Sequence, residues 1–462
     1  MKSTLHIEND KFNWRKISPR KFVKTISIIV GTIFLVSILI LVLFRDSFIN
    51  SILKSKIINA FTNAYPEYSL QIREMHYSIW SNRLECDSIM LNTKNPNFTC
   101  SLDSFSVSGI NWIKILFQSD FNPTILSSSV IDGQNIVFNF LKSQEELRLG
   151  KLHISVMDSV IISDSIKYHP SINDVQFFAN SQFRKTRSLL DISQIKILGF
   201  DFLSFLKEDT YSARKIIIHE VFADVLLNKD KPKDENEPNP LMPNEILSSI
   251  KKIINIDSLE ITNGRLKYSE RFEINAIPGV ITFNKFNILV SGISNQTAKP
   301  ETTIILANGL FMNTAPMKVF MAIPLTSKKF SLRYSGTVGK MDVSKLNVFL
   351  EPVENRHIQS GIIQSAYYSI NVNSGKASGN LRVAYTDLSL AISNKDFGFD
   401  LGLFNHISNF IGDMFIIRTT NIPDENGSMK IGEINYTRNP GEYFFQYLWL
   451  SLRSGVADVV GF

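Results

Sequence analysis

The seven histidines are the first place to look for chemistry: His6, His76, His153, His169, His219, His357 and His406. A metal centre or proton relay needs several such side chains at short spacings, so that they converge on one point. These are scattered, and His219-Glu220 has no second histidine at the spacing of a helical zinc motif. The nucleophile elbow G-x-S-x-G and the P-loop are both absent. Gly375-Lys376-Ala377-Ser378-Gly379 has phosphate-loop composition without the upstream glycine, and it falls between strand patterns, where a turn is expected. The acidic pairs Glu145-Glu146 and Asp234-Glu235 sit in polar stretches and read as solvated faces rather than acid/base dyads. Cys86 and Cys100 flank the turn-like Asn92–Asn97 on two strand-like segments. An oxidising compartment would permit a hairpin-bridging disulfide there; the other reading is two small buried hydrophobes. They form no C-x-x-C metal or redox pair. No catalytic, metal or cofactor site is expected, and the chain reads as a non-enzyme.

What must be positioned is therefore something other than a reaction centre. Thr25–Phe44 is a run of 20 residues without a charge, bounded by Lys24 and Arg45. As a helix it would be ~30 Å long, the thickness of a bilayer's hydrocarbon core. The 24 residues before it hold seven bases against Glu8 and Asp10, a bias that places the N-terminus in the cytoplasm and the bulk of the chain on the far side. A cleaved signal peptide would have a shorter apolar core and an A-x-A-like site, whereas Arg45-Asp46-Ser47-Phe48 follows here. An uncleaved anchor is expected. The formal net charge of +6 comes mostly from that tail: 42 bases and 41 acids remain beyond it. That leaves no basic field for nucleic acid.

Past the anchor, Ile49, Leu53, Ile57 and Phe61 form one helical stripe ending before Pro66. From Tyr68 the period changes to two, as in Leu70 and Ile72 or Tyr77 and Ile79, the mark of half-buried strands. A helical patch is expected at Ser108–Phe117. A loose repeat follows in Val130–Phe138, Val156–Ile162, Ile216–Leu227 and Ile261–Tyr268: an apolar run, a small or Asx-type residue able to turn or bulge, and a second apolar run. Repeated strand units favour an extended sheet over a closed globule. Residues 228–244, with four prolines, read as a disordered linker or loop between an N-terminal region, 45–227, and a C-terminal region, 245–462. The latter is expected to hold a short helix at Glu245–Ile253, strands from Ile256 to Val338, a capped helix at Met341–Val353, strands over Gly361–Tyr385, a helix at Phe404–Phe415 and a terminal helix.

The order of parts resembles the AsmA-like family of bacterial envelope proteins. The likeness rests on the anchor followed by YSLQIREMHYSIWSNRLECDSIMLN, on VSGINWIKILF before ILSSSVIDGQNIVF, and on the block GTVGKMDVSKLNVFLEP, SGKASGNLRVAYTDLSLAI and INYTRNPGEYFFQYLWLSLRSG. It implies a mainly β fold: a transmembrane helix, then a long twisted antiparallel sheet curled into a groove with an apolar inside, with a few short helices. It further implies an inner-membrane protein, single-pass, with its bulk in the periplasm, whose partners are membrane lipids and whose groove carries phospholipid between the envelope membranes. Independently, few helices are expected against some twenty strand segments, and an apolar sheet face left uncovered calls for a ligand or partner. Leu266 and Val383 are expected to line that face. The alternatives are two sheets packed face to face, and an anchored scaffold that assists outer-membrane protein assembly through envelope protein partners.

Overall fold

The computed structural model describes residues 50–78, 80–93, 98–110, 123–208, 210–296, 302–392 and 417–461, together with Val30, Thr32, Ile33, Leu35 and Val36. The basic tail, most of Thr25–Phe44, most of the Ser108–Phe117 patch, all of the Phe404–Phe415 helix and the centre of the Asn92–Asn97 turn lie outside the described residues. Among the described residues no helix is long and apolar enough to cross a membrane.

Six strands of 11 residues come first: β1 (Tyr68–Ser78), β2 (Arg83–Thr93), β3 (Phe98–Ser108), β4 (Val130–Phe140), β5 (Glu145–Ser155) and β6 (Val160–Pro170). Then come β7 (Lys185–Leu198), β8 (Tyr211–Asn228), β9 (Ile254–Arg271), β10 (Gly279–Ser294), β11 (Thr303–Phe311), β12 (Ala315–Ile323), β13 (Leu332–Val338), the two-residue β14 (Met341–Asp342), β15 (Arg356–Asn373), β16 (Lys376–Ile392) and β17 (Gly432–Thr437). All belong to one 17-stranded sheet. Each strand pairs with the next along the chain, β13 and β14 both lying against β15. The fold is mainly β, as expected, and the pairing is antiparallel with one departure: β8 and β9 run parallel.

Parallel neighbours need a long crossover, and residues 229–253 supply it. This is the proline-rich segment, and it is a loop pinned at several points. Lys229 Nζ donates to Glu270, Asn244 Nδ2 to the Ser327 carbonyl, Arg438 to the Pro240 carbonyl and Tyr443 OH to Glu237. Met242 is fully buried in the C-terminal core. The helix after it is Pro243–Ser249, shorter than expected.

The helix of residues 50–64 sets Leu53, Ile57 and Ile58 against β1 and β2: Leu53 and Ile57 belong to the stripe read from spacing, Ile58 does not, Phe61 packs on Tyr65 instead, and Ile49 lies outside the described residues. Met341–Val353 divides into β14, a 3-10 turn whose N-terminal Ser344 N–H is accepted by Asp342, and the helix Asn347–Glu354. Gly361–Tyr385 divides into β15 and β16 about Ser374 and Gly375, both in the left-handed region that a two-residue hairpin requires. That is the turn expected in place of a phosphate loop. The terminal helix is Phe444–Val460.

A line of kinks crosses β1 to β8 at mid-strand. Ladder pairing lapses at Arg73 and Ser88, at Gly150 and Ser165, and at Ser193 and Glu220. On alternate strands the residue there has positive φ: Ser88 (50°), Asn135 (49°), Ser165 (54°) and Glu220 (51°). Alternation slips at this level, so residues sharing a face are three apart: Ile72 and Met75, Ile192 and Ile195, Ile218 and Val221. Three of the repeats read from sequence contain such a residue: Asn135, Glu220 and, in β9, Asn263 (53°).

Candidate functional site

Paired residues in adjacent strands point to the same side of a sheet, so a face can be followed from register alone. Starting at the outer strand, Tyr77 pairs with Leu84, then Val107, Ile131, Ile154, Ile161, Ile197, Ile216 and Leu259. The row continues through Val290, Ile305, Met321, Tyr334, Ile370 and Gly379 to Ile434 on β17. Apart from Gly379, every position is apolar or aromatic. At ~4.8 Å per strand the row measures about 70 Å along the sheet. A second row on the same face runs from Leu91 through Cys100, Phe138, Leu147, Tyr168, Leu190 and Ala223 to Leu266, Phe283 and Phe311.

Cover is unequal along this face. At the N-terminal end the helix of residues 50–64 buries Tyr77 and Leu84 to 3% exposure. At the other end the crossover loop and the Phe444–Val460 helix bury Tyr334, Ile370 and Ile434, with Tyr447 fully enclosed. Between them, Ile131, Ile154, Ile161, Ile197, Ile216, Leu259, Val290 and Ile305 are all half-buried. Among the described residues, strands β3 to β6 make substantial contact only with neighbouring strands. Near the kinks, however, Ile166, Ile192 and Val221 are at least nine-tenths buried, gathered with Leu149, Ile218 and Phe286. The opposite face carries polar pairs, His153 with Asp132 at 2.7 Å, His169 with Asp191 at 2.9 Å and Gln194 donating to Asp164, besides a small apolar cluster where Leu226 packs against Phe177 and Phe178.

Leu266 and Val383 do share the apolar face, but their settings differ. Leu266 is half-buried between Ala223 and Phe283. Val383 is 7% exposed and belongs to the closed core with Leu381 and Tyr385. It is a core residue, because the terminal helix packs over its end of the sheet. Cys86 and Cys100 are on this face too, both buried and both free thiols. Cys86 pairs with Phe105, whereas Cys100 pairs with Leu91, five residues away along β2. That offset is about 17 Å, far beyond disulfide reach. The bridge is not formed, because the hairpin register sets the two on the same face five positions apart. Burial pushes the Cys86 thiol up to about 11.

An ionic cluster interrupts the apolar face. Glu270, fully buried on β9, receives Lys229 Nζ at 2.5 Å and Tyr268 OH at 2.5 Å. Nearby Glu354, the last residue of its helix, has its carboxylate 3.6 Å from Arg356, with a side chain 6% exposed. One of its oxygens, Oε1, is buried without a hydrogen-bond partner. Burial raises its carboxyl to about 7, against the pull of Arg356 and Arg453. Sequence reading missed this cluster: its members come from the crossover loop, β9, β15 and two helices, and no spacing links them. Among the described residues no group of three His, Cys, Asp or Glu side chains could hold a metal ion. No family model and no characterised protein matches this chain.

Proposed function

We propose that this chain is a single-span inner-membrane protein of the AsmA-like type, with its sheet in the periplasm curled into a groove that binds phospholipid acyl chains and carries them between the envelope membranes. The observation that carries the reading is the apolar row from Tyr77 to Ile434, closed at both ends and half-exposed across eight strands between. An apolar face of that extent without a second layer is a site for an apolar ligand. Each buried methylene contributes ~0.8 kcal/mol, so a single acyl chain would be held without any specific contact.

Two further observations favour a curled sheet. Ile166, Ile192 and Val221 are buried with no second layer above them among the described residues, as happens when side chains crowd the inside of a bend at the kink line. The two-turn helix Asn347–Glu354, ~12 Å long, packs on both β10 and β15, which a flat sheet would hold roughly 20 Å apart. A Cβ on Gly279 of β10 would sit 2.4 Å from Val353 of that helix.

The test is lipid extraction and mass spectrometry of the purified full chain, with photo-crosslinking lipid added in a second arm. Co-purified phospholipid and adducts on β4 to β11 are expected. A defined protein cross-link with no lipid recovered would instead indicate the anchored scaffold.

A further inference from the structure

The rim formed by the ends of β5 to β8 and the start of β9 carries a strip of exposed apolar side chains. Met157, in the β5–β6 turn, is 72% exposed. The helix Phe202–Glu208 joins β7 to β8; it turns Phe202 and Phe205 inward onto Phe200 and Tyr211, and leaves Leu203 and Leu206 outward at 43% and 41%. Ile250 and Ile253, just before β9, are 37% and 41% exposed. These pieces adjoin one another: Phe200 N–H donates to the Ser159 carbonyl at 3.1 Å, and Tyr211 N–H to the Ile253 carbonyl at 2.8 Å. Lys207 and Lys251 are exposed among them. Asp158 and Asp201 are exposed there too, so it is the run of apolar side chains, with lysine stems reaching past it, that suits the rim to lipid headgroups.

The position of the chain before the sheet says which surface covers this strip. Asn50 Oδ1 accepts from the Tyr77 N–H at 2.7 Å, so the helix of residues 50–64 begins at the end of β1 that pairs with the start of β2. In the ladder that end belongs to the same rim as the turns after β5 and β7. Only residues 45–49 separate Asn50 from the apolar run Thr25–Phe44, a reach of about 20 Å at most. We propose that this rim rests on the bilayer that holds Thr25–Phe44, with Met157, Leu203, Leu206, Ile250 and Ile253 in the headgroup layer. The proposal rests on reading Thr25–Phe44 as the membrane anchor.

The full chain, reconstituted in phosphatidylethanolamine–phosphatidylglycerol vesicles, is labelled with an environment-sensitive fluorophore at single cysteines in a C86A/C100A background. The labelled positions are 203, 206 and 250, with 141 and 277 as controls. Leu141 and Ile277 are exposed and apolar as well, at 47% and 82%, but belong to the opposite rim. Blue-shifted emission and loss of intensity with headgroup-proximal quencher lipids are expected at 203, 206 and 250 and absent at 141 and 277. Equal response at all five positions, in protein that resists carbonate extraction from the vesicles, overturns the docking while leaving the anchor intact. Complete extraction by carbonate overturns the anchor, and the proposal with it.

Discussion

Tyr77 and Ile434 lie at opposite edges of the sheet, joined by an unbroken row of paired residues on one face. The row is closed at its ends and open in its middle, so one substitution should have two outcomes along it. Ile370 is fully buried under the terminal helix. An aspartate there strands a charge in the core, and I370D is expected to cost several kcal/mol and unfold the C-terminal part. Val383→Asp should behave likewise. Leu266→Asp and Ile216→Asp, at half-exposed positions, should lower the melting temperature by only a few degrees yet abolish phospholipid recovery. Thermal denaturation alongside lipid mass spectrometry separates the two, and unchanged lipid content in Leu266→Asp would count against the open face as the site.

The strands were legible because one side of each is apolar, and alternation survives in short stretches such as Leu84-Glu85-Cys86. The register was not. At the kinks the period slips by one, so a reader following alternation from Ile72 would place Met75 on the wrong side. The terminal helix was visible in its apolar density. The role of residues 228–244 was hidden, since prolines and charges signal an irregular loop but not the distant Tyr443 and Ser327 that fix it. The parallel pairing of β8 with β9 follows from that loop's path, which no local pattern records. The buried cluster at Glu354 was invisible for the same reason: its partners meet only in the folded chain.

Glu354 gives the fold a pH dependence of stated sign. Its carboxyl is raised from the ordinary 4.5 to about 7 by burial, so the folded state holds the proton more tightly than the unfolded chain. Stability is fullest below about 4.5 and falls as pH rises towards 7, by a loss on the order of 3 kcal/mol. Above that it levels off. Glu354→Gln removes the ionisable group while keeping its shape. The variant is expected to melt higher than the native chain at pH 8 and at nearly the same temperature at pH 5. A difference independent of pH would show that the carboxyl stays ionised in the fold.

Both edges of the sheet are capped by side chains of the flanking helices. At β17, Asp458 accepts from the Glu433 N–H at 2.7 Å and Ser454 from the Asn435 N–H at 3.3 Å. At β1, Asn50 accepts from the Tyr77 N–H, and Lys54 donates to the Arg73 carbonyl at 3.1 Å. Open edges invite strand addition, and such caps block it. The double variant D458A/S454A should cost roughly 1 kcal/mol per lost bond and expose a strand edge. Sedimentation at increasing concentration is expected to show self-association absent from the native chain, with D458N, which keeps an acceptor oxygen, largely restored.

The kink line can be tested one residue at a time through its backbone. Ser165 holds φ at 54° in the middle of β6, between Asp164 and the buried Ile166. A β-branched side chain is poorly accommodated there, whereas glycine adopts that region freely. Ser165→Val is therefore expected to cost about 1–2 kcal/mol of stability, read as a lower urea midpoint, and Ser165→Gly to leave the midpoint unchanged or raise it. In an ordinary strand the order would be reversed, since valine favours strands and glycine weakens them. The sign of the difference between the two variants thus reports on the kink itself. If valine proved the more stable, β6 would run straight in solution, and the burial of Ile166 would need another cause than the bend.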